Sequence, residues 1–188
     1  MKPEHLQQIL GYYLEDAQNH LIVIEQHLLN LQGTIKNPKV VGELFLAARC
    51  SIVGGASLLP ISSTYITSIH QTGFCIADCF HVLQQERAIE VDSKLEGLLL
   101  QVFHTLKELI EQLKEPAGLT DDKATEAIAQ LEPTRKALMV HLNWLVQRSH
   151  AKNHPESAIA LDSTEGVPSL EDLESVIDKL SMDNASTH

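Results

Sequence analysis

The sequence is most informative in what it has little of. Aromatic residues make up 4% of the 188 positions, with a single tryptophan. A core built from this chain must therefore be aliphatic, from Leu, Ile, Val and Ala, which favours helices packed on helices. Cysteines are sparse and odd in number: Cys50, Cys75 and Cys79. That set fits reduced thiols better than a disulfide scaffold. Basic residues are outnumbered 14 to 25 by acidic ones, for a net charge of −11. Phosphate backbones need clustered Lys and Arg, so nucleic acid is excluded as a natural partner. From Cys50 to Ala77 there is no Asp, Glu, Lys or Arg at all. The run is not a membrane span, because Gly54, Gly55, Pro60, Ser62, Ser63, Thr64, His70 and Gln71 interrupt it. Met1–Leu10 contains Glu4 and His5 and no apolar signal core, so the expected location is cytoplasmic.

What is present is helical periodicity. Residues 4–31 carry Leu6, Leu10, Tyr13, Ala17, Leu21, Ile24, Leu28 and Leu31 on one face, with Gly33 as the expected stop. Asn37 and Pro38 predict the cap and first turn of a second helix, running to about Leu59. A third helix is expected over about 62–87 and a fourth over about 92–115. A fifth begins after Thr120, where Asp121 and Asp122 suit the positive end of the helix dipole. Pro133 is expected to kink that helix or split it in two. The predicted fold is all-α: an up-down bundle over 1–115, extended by a further helical pair that includes 116–149. Residues 150–188 hold eight acidic and two basic residues and read as an acidic flexible tail, with a possible short helix at 169–180.

The segment Leu44-Phe45-Leu46-Ala47-Ala48-Arg49-Cys50-Ser51-Ile52-Val53-Gly54-Gly55-Ala56 stands apart. Adjacent glycines inside a helix cost about 1 kcal/mol each relative to alanine, so something must approach closely there. The motif resembles the histidine-containing phosphotransfer (HPt) domain of chemotaxis-type histidine kinases, the cyanobacterial kind most of all. That helix reads Phe-Arg-Ala-Ala-His-Ser-Ile-Lys-Gly-Gly-Ala. Tyr13-Leu14-Glu15-Asp16-Ala17, Ser68-Ile69-His70-Gln71-Thr72 and Ala77-Asp78-Cys79-Phe80 resemble other stretches of the same domain, in the same order. The resemblance covers about residues 1–148. It implies a four-helix core and a role in relaying phosphate from a kinase to a receiver domain.

The departures from the motif matter as much. Eight residues separate Phe45 from Gly54, one more than in the family. Aligned from the left, Arg49 stands where the phosphoacceptor His belongs; aligned from the right, Cys50 does. The family Lys becomes Val53. One extra residue turns a helix by about 100°, so it must be absorbed by a π-bulge or a shifted start. Arginine stays protonated and cannot act as the nitrogen nucleophile. The expectation is a degenerate HPt-like module, not an enzyme and without cofactor or metal. It would bind a response-regulator receiver or a histidine-kinase domain through a face formed by Ala48, Ile52, Val53, Gly54, Gly55, Ala56, Gly73 and Phe74. The bland reading of those residues is core, and self-association through the same face is a further possibility. Two alternatives stay open: phosphotransfer on a displaced histidine, with His70, His81, His104 and His141 as candidates, and thiol or metal chemistry at Cys75, Cys79 and His81, joined by Cys50 from the facing helix.

Overall fold

A computed structural model describes residues 3–59, 61, 63–114 and 121–153. The chain divides after His150, and the architecture is that of the first unit. The expected tail helix at 169–180 and Thr120, which precedes the expected fifth helix, lie outside the described residues, which contain helices and no strand. The helices are α1 (Pro3–Leu28), α2 (Leu31–Thr34), α3 (Pro38–Leu46), α4 (Ser63–Gln85), α5 (Ser93–Gln112) and α6 (Asp121–Asn153). Between α3 and the turn before α4 the chain forms a π-helical segment, Ala47–Gly54.

The first helix ends earlier than its apolar stripe suggests. Asn30 adopts φ −137° and ψ 49°, which no helix continues, so Leu31 opens the separate single turn α2. Gly33 sits inside that turn instead of stopping α1. A Cβ there would lie 2.7 Å from the end of the Asn30 side chain, which would have to swing away. The start of α3 is as expected: Asn37 accepts from the Lys39 N–H and Pro38 opens the helix.

Four elements enclose the core in a closed sequence of contacts. α1 packs on α5 and on the π segment, and α4 packs on α5, α3 and the π segment. The filling is aliphatic, with Ile24, Leu28, Leu44, Ile52, Ile69, Leu99 and Leu106 fully buried and Phe80 and Phe103 as the large exceptions. α6 lies over α4 and α5 and adds Leu131, Leu138, Leu142 and Leu145 to the same core. Its N-terminal half neighbours Thr64 and Ser68 of α4 through Thr125 and Ile128, and His150 reaches Glu86 at 2.7 Å just beyond the end of α4. Of the expected extra helical pair, α6 is the member added to these elements among the described residues, because α5 itself packs into the core with α1 and α4. Pro133 does not divide α6, which runs unbroken through it.

Asp92 ties α6 to the bundle. Its carboxylate accepts from the Leu95 N–H at 2.9 Å, capping α5, and both its oxygens lie 2.9 Å from His141 Nε2. Partial loss of solvent pushes this carboxyl up, but the Leu95 N–H and His141 outweigh it and the net shift is downward. A carboxyl depressed in the folded state contributes stability that is present above its unfolded value, about 3.9, and is lost as the pH falls through the folded value. Asp92→Ala removes cap and His141 partner together. It is expected to cost about 1–2 kcal/mol at neutral pH, read from urea midpoints, and the gap should narrow as the pH falls below about 4 toward the lower folded value at which the wild-type carboxylate is itself protonated.

Candidate functional site

The extra residue of the glycine motif is absorbed in place. The π segment spans the whole of Ala47–Gly54, and the helix then continues through Gly55 and Ala56. A π-turn holds one more residue than an α-turn, so the chain can carry both Arg49 and Cys50 without rotating the flanking core residues outward. Ala48 and Ile52 are fully buried, as is Ala56 beyond the segment.

The segment is held by packing from two sides. The Tyr13 hydroxyl of α1 donates to the Ile52 carbonyl at 3.2 Å. Burial, with a smaller contribution from Asp16, drives the Tyr13 phenol far above its ordinary pKa, so it remains a neutral donor. A Cβ on Gly55 would meet the Tyr13 ring at 3.0 Å. On the other side, a Cβ on Gly73 of α4 would come within 2.4 Å of Val53 Cγ2. These close approaches are what the glycines provide.

The same packing corrects the expected binding face. Ala48, Ile52, Val53, Ala56 and Gly73 are buried, and Gly54 and Gly55 are partly buried. The uncharged stretch is two helices facing each other, so most of its apolar residues form core. Of the residues assigned to that face, Phe74 is exposed, at 37%. The accessible surface is formed instead by Arg49, Cys50 and Phe74, together with Leu46 at 54% and Leu58 at 78% exposed.

Arg49 and Cys50 diverge. The Arg49 guanidinium leans toward α4, 5.4 Å from the Phe74 ring centroid, and lies 5.9 Å from Phe45. Cys50 lines an open groove on the α1 side, about 590 Å³ in volume, with His20, Val23, His27 and Val40 among its walls. Phe45 and Leu46, outside the residues expected to form the binding face, both shape this surface. The spacing of Phe45 four residues before Arg49 is a side-chain contact distance on any helix, and that signal was in the sequence.

The displaced-histidine candidates separate by environment. His141 is buried against Asp92 and stacked on Trp144 at 5.5 Å, which withdraws it from a protein-sized donor. His104 is half-exposed near Glu25 at 3.8 Å. His81 is exposed, bonds Gln85 at 3.0 Å and lies 5.3 Å from Phe45. His70 is closest to the motif: its Nε2 is 2.9 Å from Ser57 Oγ, and its ring meets Phe74 edge-on at 5.9 Å. Ser57 in turn donates to the Val53 carbonyl at 3.2 Å.

Among the described residues no group of three or more His, Cys, Asp or Glu is placed to hold a metal ion. Cys75 and Cys79 are buried free thiols, hydrogen-bonded to each other one turn apart. That bond lowers Cys75 and raises Cys79, and burial pushes Cys79 up further. Only thiolates react quickly, and access limits the rest. A disulfide-exchange thiol reagent is therefore expected to titrate Cys50 at once in the native protein and the other two cysteines only on unfolding. Rapid titration of all three would contradict the buried pair.

No described helix is long and apolar enough to cross a membrane. Comparison with curated proteins gives a match to "Chemotaxis protein CheA" of Borreliella burgdorferi, 25% identical over 104 residues. The match covers 55% of this chain and 11% of that protein, so the chain corresponds to a small part of it. No family model matches the chain, and no solved structure does.

Proposed function

We propose that this chain is a degenerate HPt-like module of two-component signalling, which docks a receiver or kinase domain without itself carrying phosphate. The likeness to a chemotaxis protein supports a phosphorelay-related signalling role, and the helical bundle with its glycine-motif helix supports an HPt-like domain. The observation that carries the rest is the replacement at the acceptor position. Two residues share it on the π segment, Arg49 and Cys50, and neither is an imidazole. The position of the family Lys is Val53, turned into the core against Gly73. A dianionic phosphoryl group would find no nucleophilic nitrogen and no lysine there.

Titration calorimetry of the full chain against receiver domains and histidine-kinase domains of two-component systems tests this. Saturable binding to at least one is expected. Failure to bind any receiver or kinase domain would overturn the docking role. Association of the chain with itself at the same concentrations would instead favour a homodimer.

The competing reading is phosphotransfer on His70. It is favoured by one observation, the placement of His70 beside Phe74 and Ser57 at the edge of the motif. It requires acid-labile phosphate that disappears in His70→Asn.

A further inference from the structure

Arg49 is exposed and yet held. Its guanidinium lies 5.9 Å from the Phe45 ring centroid and 5.4 Å from that of Phe74. The negative face of a phenyl ring attracts a cation at this range. The stacking continues on both sides, with His81 5.3 Å from Phe45 and His70 5.9 Å from Phe74. A row of five side chains, His81, Phe45, Arg49, Phe74 and His70, thus crosses α3, the π segment and α4.

The rings fix the cation and leave its hydrogen-bonding demand unmet. A guanidinium presents five N–H donors, and phenyl rings offer them no conventional acceptor. Among the described residues Arg49 makes no ion pair. Some other cations do: half-buried Lys107 bonds Glu25 at 3.0 Å and exposed Arg135 bonds Glu132 at 2.8 Å. The acids that flank Arg49 and the uncharged run in sequence, Glu43 and Asp78, do not serve it. Glu43 faces Lys39 at 4.0 Å, and Asp78, one turn beyond Phe74, has no ion pair with Arg49. The uncharged run from Cys50 to Ala77 supplies none. On a chain of net charge −11, an ordered cation without an internal carboxylate is complementary to something outside the chain.

We infer that Arg49 is the anchor of the docking surface, inserting as a fixed cation into the carboxylate-lined pocket of a receiver domain. This rests on the docking role proposed above and assigns it a contact. Carboxylates match the fork of a guanidinium through paired N–H bonds. The exposed Leu46 and Phe74 beside Arg49 give a protein surface, unlike a free anion, apolar contact as well. Stacking has already removed much of the side-chain freedom that binding would otherwise have to freeze.

The experiment uses the full chain and the receiver domain that binds it in the calorimetric screen. Arg49→Ala is expected to weaken binding about ten- to a hundredfold, the range of a charge-assisted bond. Arg49→Lys should fall between, because it keeps the charge and loses the planar fork. Replacing the receiver's phosphoacceptor Asp by Asn should shrink the effect of Arg49→Ala. Thermal midpoints of the Arg49 variants should stay near wild type, which excludes unfolding as the cause. Unchanged affinity in Arg49→Ala would overturn the assignment while leaving the docking role intact. An equal loss against the Asp and Asn receivers would place Arg49 outside that pocket and also overturn it. If no receiver binds the wild-type chain, both this assignment and receiver docking fall. Millimolar inorganic phosphate that binds the wild-type chain alone and not Arg49→Ala would mark a small-anion site instead.

Discussion

Gly73→Ala is expected to destabilise the bundle by about 1–3 kcal/mol, the range for overpacking a filled core. The added methyl would sit 2.4 Å from Val53 Cγ2, far inside van der Waals contact. Val53 cannot readily yield. It is buried at 2% exposure, and a β-branched side chain in a helical backbone has little rotamer freedom. The strain must therefore pass to the backbones of α4 and the π segment. Val53→Ala removes the obstructing methyl groups, and alone should cost roughly 1–3 kcal/mol through its cavity. The double variant should be more stable than the sum of the two losses, by about 1 kcal/mol or more, because the new methyl fills the vacated space. Urea denaturation of the four proteins reads this coupling directly. Additive losses would show that α4 and the π segment do not meet at this pair.

The contact between Gly73 and Val53 also explains which parts of the molecule were readable. Helix positions follow from Leu, Ile and Val at helical spacing, and α5 and the start of α3 lie where periodicity and the Asn37-Pro38 cap put them. The need to absorb one residue between Phe45 and Gly54 was also countable, and the chain resolves it as a π segment and not a shifted start. The binding face was not readable. Two adjoining helices without charge look the same whether they face each other or face a partner. Only their relative rotation, set by Gly73 against Val53 and by Gly55 against Tyr13, decides that Ile52 and Val53 point inward. That Pro133 does not split α6 has a related reason. Propensity disfavours proline within a helix, but Leu131 and Leu138 are anchored in the core on either side of it, and tertiary burial holds α6 in one piece.

Deleting Arg49 while making Cys50→His and Val53→Lys is expected to turn a chain that takes no phosphate on this helix into one that does. The deletion is the necessary step. With the π segment in place, Val53 is buried against α4. A lysine there would lose its charge or disrupt the core, since burial strongly disfavours an unpaired ammonium. Cys50→His alone would put an imidazole on the groove side without a cation to hold the phosphoryl group, and only background labelling is expected from it. Removing one residue lets an α-turn replace the π-turn. It also restores the family spacing, giving Phe-Leu-Ala-Ala-His-Ser-Ile-Lys-Gly-Gly-Ala. In that register the lysine lies three residues beyond the histidine, within side-chain reach on the same face of the helix. Phosphate bound to an imidazole is labile to acid and stable to alkali, so incubation with a small phosphoramidate donor and stability tests on the product give the readout. The wild-type chain should stay at background, and the triple variant should carry a substantial fraction of a phosphoryl group per chain. Acid-labile labelling of the wild-type chain, abolished by His70→Asn, would reverse the assignment. The active group would then be the imidazole bonded to Ser57, with Arg49 beside Phe74 as its nearby cation.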